Sequence, residues 1–253
     1  MTVVRIEGEV GTGKTSLALT FPEPIQHFDT DIGGFDRASW RFKDKIASGD
    51  IRSKSYHFPD NGANGVKLTA KELLRSISGR RAMNSTVGAK EIWNELFDDY
   101  GDALDDHKIR TVVFDSWTRV WRLCTSAYRE EIGAAGLMPR DYGIPNNRMT
   151  ALLDIGRKYG KHIVLVVHMD DEYKDVTASD GQVKSISTGR RVADKWKTTD
   201  NLVDMIIRTE LNSSRPKATI TQSKLVLDLT GMVYEEPRWE MVETAVRMLR
   251  GES

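Results

Sequence analysis

The sequence predicts an α/β fold: a mostly parallel sheet with helices on both faces, followed by antiparallel C-terminal strands. Three observations predict it. Short apolar, β-branched runs alternate with stretches of helical periodicity as far as residue 168. Two of these runs, "TVVFD" at 111–115 and "HIVLVV" at 162–167, are almost continuously apolar, as strands covered on both faces are. Beyond them, Asp180-Gly181 separates two strand-like segments, Tyr173–Ser179 and Gln182–Thr188, as a two-residue hairpin turn does.

Each element follows from local chemistry. Val3–Ile6 is a β-branched first strand, Gly8–Gly13 a loop, and Lys14–Thr20 a helix stopped by Pro22 and Pro24. Ile25–Phe28 is a second strand, followed by "DTDIGG". Residues 53–64 are irregular, with a strand near Ser55–Phe58. Thr69-Ala70-Lys71-Glu72 is a capping box that opens a helix carrying Leu73, Leu74 and Ile77. Glu91–Leu104 is a helix with Ile92, Trp93, Leu96 and Tyr100 inward, and its acidic run, Asp98–Asp106, is a solvated face. A strand over 110–116 ends in Asp115-Ser116 and is followed by a helix to Ile132. Gly133–Pro145 reads as a loop, Asn146–Tyr159 as a helix ended by Gly160, and the strand from His162 closes at His168. "LVDMIIRTE" and "KATITQSKLVL" read as strands, and Trp239–Leu249 as a closing helix.

The chain has 253 residues, enough for one large domain over 1–253 with the hairpin inserted at about 171–189. Charged residues are 29% and hydrophobic ones 39%, a globular balance. Lys+Arg and Asp+Glu are both 37, so contact with nucleic acid requires a local basic patch rather than overall charge. The lone Cys124 excludes an intrachain disulfide and a Cys-rich zinc site, and fits a small apolar residue in a reducing cytoplasm. No signal-like start is present, and no apolar run nears the roughly 18 residues that span a bilayer. A cytoplasmic protein with no membrane contact is expected.

The segment Gly8-Glu9-Val10-Gly11-Thr12-Gly13-Lys14-Thr15 fits the phosphate-loop pattern, with a strand before it and a helix after it. Glycines let the backbone curl so that successive N–H groups face phosphate oxygens. Lys14 is expected to reach the β- and γ-phosphates of ATP, Thr15 to place its hydroxyl on Mg²⁺, and Ser16 to border the loop. Asp115, a carboxylate at the end of an apolar strand beside the loop strand, is the second Mg²⁺ candidate; alternatively Asp115 or Ser116 caps the next helix. The water-activating carboxylate is sought in "HFDTDIGG". Asp31 lies near the loop if the second strand neighbours the first, Asp29 is the alternative, and a plain Asx turn is the bland reading. His168 closes a core strand at the sheet edge where ligands bind, and is a candidate γ-phosphate sensor or a simple strand-end hydrogen bond.

"GEVGTGKTS", "HFDTDIGG", "TVVFDSWTRV" and "LLDIGRKYGKHIVLVVHMDDEY" together resemble the RecA-like ATPase core, and most of all the short RecA-like proteins of bacteriophages, several of which act in single-strand annealing or recombination. The resemblance runs over about residues 3 to 170. It implies ATP and Mg²⁺ as ligands, with Lys14, Thr15, Asp115 and His168 in the matching places. Asp31 stands where the family usually has Glu. Asp is one methylene shorter, so slow hydrolysis, or ATP binding as a switch, is implied. Ser116 stands where AAA+-type ATPases carry their catalytic Glu, which favours the RecA-like branch.

In such proteins the segment after the sensor strand touches DNA. Here it carries Lys174, Lys184, Arg190, Arg191, Lys195 and Lys197, with Tyr173 and Trp196 as stacking candidates among interspersed acids. The resemblance also implies self-association into a ring or filament, completed by a trans-acting cation such as Lys224, Arg190 or Arg191. The expected function is a Mg·ATP-dependent ATPase that binds single-stranded DNA in recombination or annealing, in a host cytoplasm if phage-encoded. The alternatives are an ATPase motor or switch on protein partners (DNA packaging or clock-like), a small-molecule kinase, and a nucleotide-stabilised DNA-binding protein with little hydrolysis.

Overall fold

The computed structural model describes residues 1–31, 33–56, 88–177, 183–194 and 196–252. The capping-box helix near 69–77 and the Asp180-Gly181 turn lie outside the described residues. Among those described, the chain builds a nine-stranded sheet in the order β3-β2-β4-β5-β1-β7-β8-β9, with β6 paired to β5 off this path. The strands are β1 (Val3–Gly8), β2 (Ile25–Asp29), β3 (Ile51–Ser55), β4 (Thr111–Asp115), β5 (His162–Thr177), β6 (Val183–Asp194), β7 (Met205–Asn212), β8 (Arg215–Ser223) and β9 (Val233–Glu235). From β3 to β7 all neighbours are parallel, and β8 and β9 add antiparallel strands at one edge. This is the mostly parallel α/β sheet, with helices on both faces and antiparallel C-terminal strands, that the sequence predicts.

Every residue of β4 and residues 163–167 of β5 are buried, which explains their nearly continuous apolar reading; β1 is buried throughout as well, with Arg5 and Glu7 among its residues. One face of the sheet packs Val112, Phe114, Ile163 and Leu165 against α4 (Ala89–Asp105), α5 (Trp117–Glu131) and α6 (Gly143–Lys158). The other packs Val4, Ile6, Val113 and Val164 against α1 (Lys14–Ala18), α2 (Gly34–Ser39), α3 (Lys43–Ser48) and α8 (Trp239–Arg250). Burial pushes the Cys124 thiol up to about 12, so it packs as an inert apolar group. No helix among the described residues is long and apolar enough to cross a membrane.

A tight crossing fixes α6. A Cβ on Gly156 would stand 2.4 Å from the Tyr100 hydroxyl and 2.7 Å from Ile163 Cδ1. Tyr100 in turn donates to the Leu152 carbonyl at 2.6 Å. Gly156→Ala is therefore expected to cost about 1–3 kcal/mol through overpacking, despite alanine's better helix propensity. Urea unfolding measures it; a stabilised variant would show that the crossing has slack.

Five expectations change. Neither β2 nor β4 neighbours β1: β5 lies between β1 and β4, and β2 lies beyond β4. The helix expected from Asn146 begins at Gly143, after a 3₁₀ turn over Pro139–Tyr142. Pro145 sits in its first turn, where a missing N–H costs nothing. The strand expected to close at His168 runs on unbroken to Thr177, so core strand and hairpin arm are one element. Trp196 is no stacking platform: it is 3% exposed, lies in the apolar core beside Trp121 and donates to Asn146 at 2.7 Å. The acidic run is not wholly solvated, because Asp99 accepts from Tyr56 at 2.6 Å and from Lys54 at 2.5 Å.

Candidate nucleotide site

The parallel strands bring the chemistry to one sheet edge. Gly8 at the end of β1 pairs in register with His168 of β5, and Asp115 at the end of β4 pairs with Val166 of the same strand. The phosphate loop curls from Gly8 into α1 with Gly11 at φ 83° and Gly13 at φ 91°, a backbone that L side chains rarely adopt. Gly8 is required for a different reason. A Cβ there would lie 2.4 Å from the Thr209 carbonyl of β7. Thr209 Oγ1 also meets Thr12 Oγ1 at 2.7 Å, which ties the loop to the sheet.

Lys14 is 6% exposed, and its ammonium donates to the carbonyls of Gly8 at 2.9 Å and Glu9 at 2.7 Å. Burial holds its pKa below the usual lysine range, against the opposing pull of Asp115 and Asp31. Thr15 donates to Asp115 Oδ2 at 2.6 Å. Behind them, His27 is fully buried, shares a hydrogen bond with Ser53 at 2.9 Å, and brings Nε2 to 3.6 Å from Asp115 Oδ2.

Asp31 arrives although β2 does not neighbour β1: β2 pairs with β4, with Asp29 in register with Asp115. The amides of Thr30 and Asp31 both donate to the Asp115 carbonyl, at 2.6 and 3.1 Å, so the chain leaving β2 folds across the end of β4. Thr30 Oγ1 donates to the Ser116 carbonyl and accepts from its amide, at 3.0 and 2.9 Å. The Asp31 carboxylate then stands between Arg119 Nε and His168 Nε2, each at 3.4 Å. Asp29, the alternative carboxylate, is 5% exposed and accepts from Ser55 and the Asp31 amide.

These groups line one cavity of about 730 Å³ whose walls include Val10, Gly11, Gly13, Lys14, Thr15, Ser16, Asp31, Asp115 and His168. Within it, Thr15 and Asp115 offer a hydroxyl and a carboxylate that converge on one point. Among the described residues no group of three or more His, Cys, Asp or Glu side chains could hold a metal by itself. That donor set fits Mg²⁺, which leans on one or two carboxylates and takes its remaining ligands from water and substrate phosphates.

The hairpin arm reaches the loop directly. Arg191 of β6 forms a fork on Glu9, with Nε and Nη2 each at 2.8 Å from a carboxylate oxygen, and also contacts Asp171 at 2.9 Å. The Arg191 hydrogen bond holds the Glu9 carboxyl below its usual pKa. Lys174 is exposed, Arg190 is exposed with its amide on Thr188, and Lys184 lies in β6 opposite Val176. Lys224 is elsewhere: Ser223 pairs with the first residue of β7, at the far end of the sheet. Its ammonium donates to the carbonyls of Asp200 and Asn201, at 3.0 and 3.1 Å, in α7 (Thr199–Leu202). His27, Thr30 and four further arginines at the site carry no local signature in the sequence; the arginines, Arg37, Arg41, Arg119 and Arg122, also line the cavity.

No curated protein matches the sequence. Among solved structures, the chain is similar to "a prototypical ATPase from the type III secretion system of pathogenic bacteria", at 13% identity and a TM-score of 0.40 over 83% of this chain. The match covers 52% of that protein's chain, so the present chain spans about half its length. A family model described as an AAA domain matches residues 2–234. That match runs from the residue before β1 into β9, so the chain belongs to the AAA-domain family, as a nucleotide-binding P-loop ATPase domain.

Proposed function

We propose that the chain is a Mg²⁺-dependent ATPase whose β5–β6 arm engages single-stranded DNA, in recombination or strand annealing, with the nucleotide state setting the strength of that contact. Lys14 neutralises charge on the terminal phosphates, and Thr15 and Asp115 hold the metal. Mg²⁺, when held there, would supply positive charge that offsets the charge developing on the phosphates. Asp31 orients the attacking water and accepts its proton, and His168, within reach of Asp31, couples that carboxylate to the strand that becomes the arm. Hydrolysis is slow in the isolated chain, because a short Asp side chain does the work of a Glu. Self-association into a ring or filament belongs to the same proposal.

The observation that carries this reading is the Arg191–Glu9 fork, which joins the arm to the phosphate loop. Order in the loop therefore stabilises order in the arm, where Lys174, Lys184 and Arg190 supply positive charge. The test is fluorescence anisotropy of a labelled single-stranded oligonucleotide, with and without Mg·ATP. Tighter binding with nucleotide is expected. Glu9→Gln should shrink that nucleotide effect by no more than ~5-fold, since the ion pair is exposed and screened by solvent. No binding at low salt in either state would end the DNA reading.

A second reading has its own support. Tyr173, Val176 and Ile186 on the arm are 59%, 47% and 52% exposed, an apolar content suited to a protein partner. ATP turnover without DNA binding would favour it.

A further inference from the structure

The cavity holds more positive charge than the phosphate loop supplies, and most of that excess is already paired. Arg122 reaches Asp194 at 2.7 Å, Arg119 reaches Asp31, and Arg41 lies over the Trp40 ring at 5.1 Å. Arg37, on α2, is different: among the described residues it has no carboxylate partner, yet it lines the same cavity as Lys14. Its charge is near enough to contribute to depressing the Lys14 ammonium. Two like charges facing one space repel until an anion lies between them.

The backbone makes room for this arrangement. A Cβ on Gly33 would stand 3.2 Å from Arg37 Nη1, and one on Gly34 would stand 3.2 Å from Asp31 Oδ2. Arg37 and Asp31 thus fold back over consecutive glycines, so that a cation and a carboxylate share one wall of the cavity. The "DIGG" sequence serves this wall as well as the turn.

We propose that Arg37 is a catalytic arginine acting in cis on the terminal phosphate, and that Arg119 is a positioning residue that holds Asp31. The proposal rests on the ATPase reading above and adds to it the group that neutralises the transition state. In the reaction the water oxygen bonds to the terminal phosphorus as the bond from that phosphorus to the ADP oxygen breaks. The bonding pair leaves with ADP, and the water's proton passes to Asp31. Arg37 opposes the charge on the terminal oxygens throughout, a role for which a chain's own arginine can serve as well as a neighbour's.

The experiment uses the full chain with Arg37→Ala, Arg37→Lys and Arg119→Ala. Phosphate release is measured over a range of protein concentrations, alongside equilibrium binding of fluorescent ADP and of a non-hydrolysable ATP analogue. Arg37→Ala should lower kcat by about 10²- to 10³-fold, leave ADP affinity within about 3-fold of wild type, and erase the preference for the ATP analogue over ADP. Arg37→Lys should restore part of that binding preference and less of kcat, because a point charge replaces a fork. Arg119→Ala should lower kcat and shift its pH profile without changing that preference. In wild type, turnover per chain should not rise with protein concentration.

Full turnover by Arg37→Ala, while Lys14→Ala is inactive, would overturn the proposal and leave the ATPase reading standing. Turnover that appears only at concentrations where subunits associate would overturn it too, by giving the role to a neighbour. Were wild type to release no phosphate, the ATPase reading would fail by itself, and the analogue-over-ADP preference would still decide whether Arg37 reads the terminal phosphate.

Discussion

Lys14→Ala is expected to remove nucleotide turnover while leaving the fold as stable as wild type. Lys14 is the buried cation of the phosphate loop, and its loss removes charge from the point where phosphate charge develops. Removing one preorganised donor of this kind costs about 10²- to 10³-fold in rate. The stability side has a different sign. Burial disfavours the charged ammonium and lowers its pKa, and among the described residues its only hydrogen-bond acceptors are the Gly8 and Glu9 carbonyls. Lys14 itself lines the cavity, so removing its side chain opens that space to water, which can replace the ammonium. Urea unfolding should therefore place the variant within about 0.5 kcal/mol of wild type. A functional group that is costly to bury is kept for chemistry. A strongly destabilised Lys14→Ala would show instead that the lysine is a structural pin of the loop.

Glu7→Leu is expected to be the most damaging single change to stability, although Glu7 touches no substrate. Glu7 is 2% exposed on β1, one residue before the loop. It accepts from Arg208 at 3.0 and 2.6 Å and pairs with Arg5 at 2.7 Å, while Arg5 also contacts Asp200 of α7. Arg5 is 4% exposed, and burial, with a smaller push from the Arg208 charge, pulls its pKa down against the counter-pull of Glu7. Removing the carboxylate leaves a buried guanidinium poorly compensated, which costs about 3–5 kcal/mol. The double variant Arg5→Leu/Glu7→Leu should recover much of that loss, because removing both charges also removes their desolvation cost. Arg208 and Asp200, with side chains 41% and 43% exposed, then rehydrate. Chemical denaturation of the two variants separates these outcomes. A Glu7→Leu loss below about 1 kcal/mol would mean that Arg5 is adequately held by Asp200.

What the sequence shows best is what is contiguous in it. The phosphate loop was legible because its glycines, Lys14 and Thr15 are neighbours in the chain and their spacing is itself the geometry. The buried strands were legible because strands covered on both faces are apolar at successive positions. Strand order was not legible. Asp31 was sought through an assumed neighbour of β1, yet it enters the cavity over Asp115, by amide bonds that no local pattern announces. Helices α2 and α3 are obscured in the sequence by Gly33-Gly34, which suggests only a turn. Their signal was present in Phe35, Ala38, Phe42 and Ile46, which repeat at helical spacing and pack on one face of the sheet. The unbroken β5 was obscured by Asp170 and Asp171, which read as a break. They are tolerated because the strand has by then left the core sheet and pairs only with β6. Arg37 and Arg119 are hidden among the 37 basic residues of a neutral chain, since nothing but tertiary structure brings both to the cavity that Asp31 lines.

One measurement bears most directly on the whole account: phosphate release from ATP by wild type and Lys14→Ala, side by side, with and without Mg²⁺. Slow release by wild type that requires Mg²⁺, and falls to background in Lys14→Ala, is the predicted result. Equal release by the two proteins, or release indifferent to Mg²⁺, would contradict the assignment of the site.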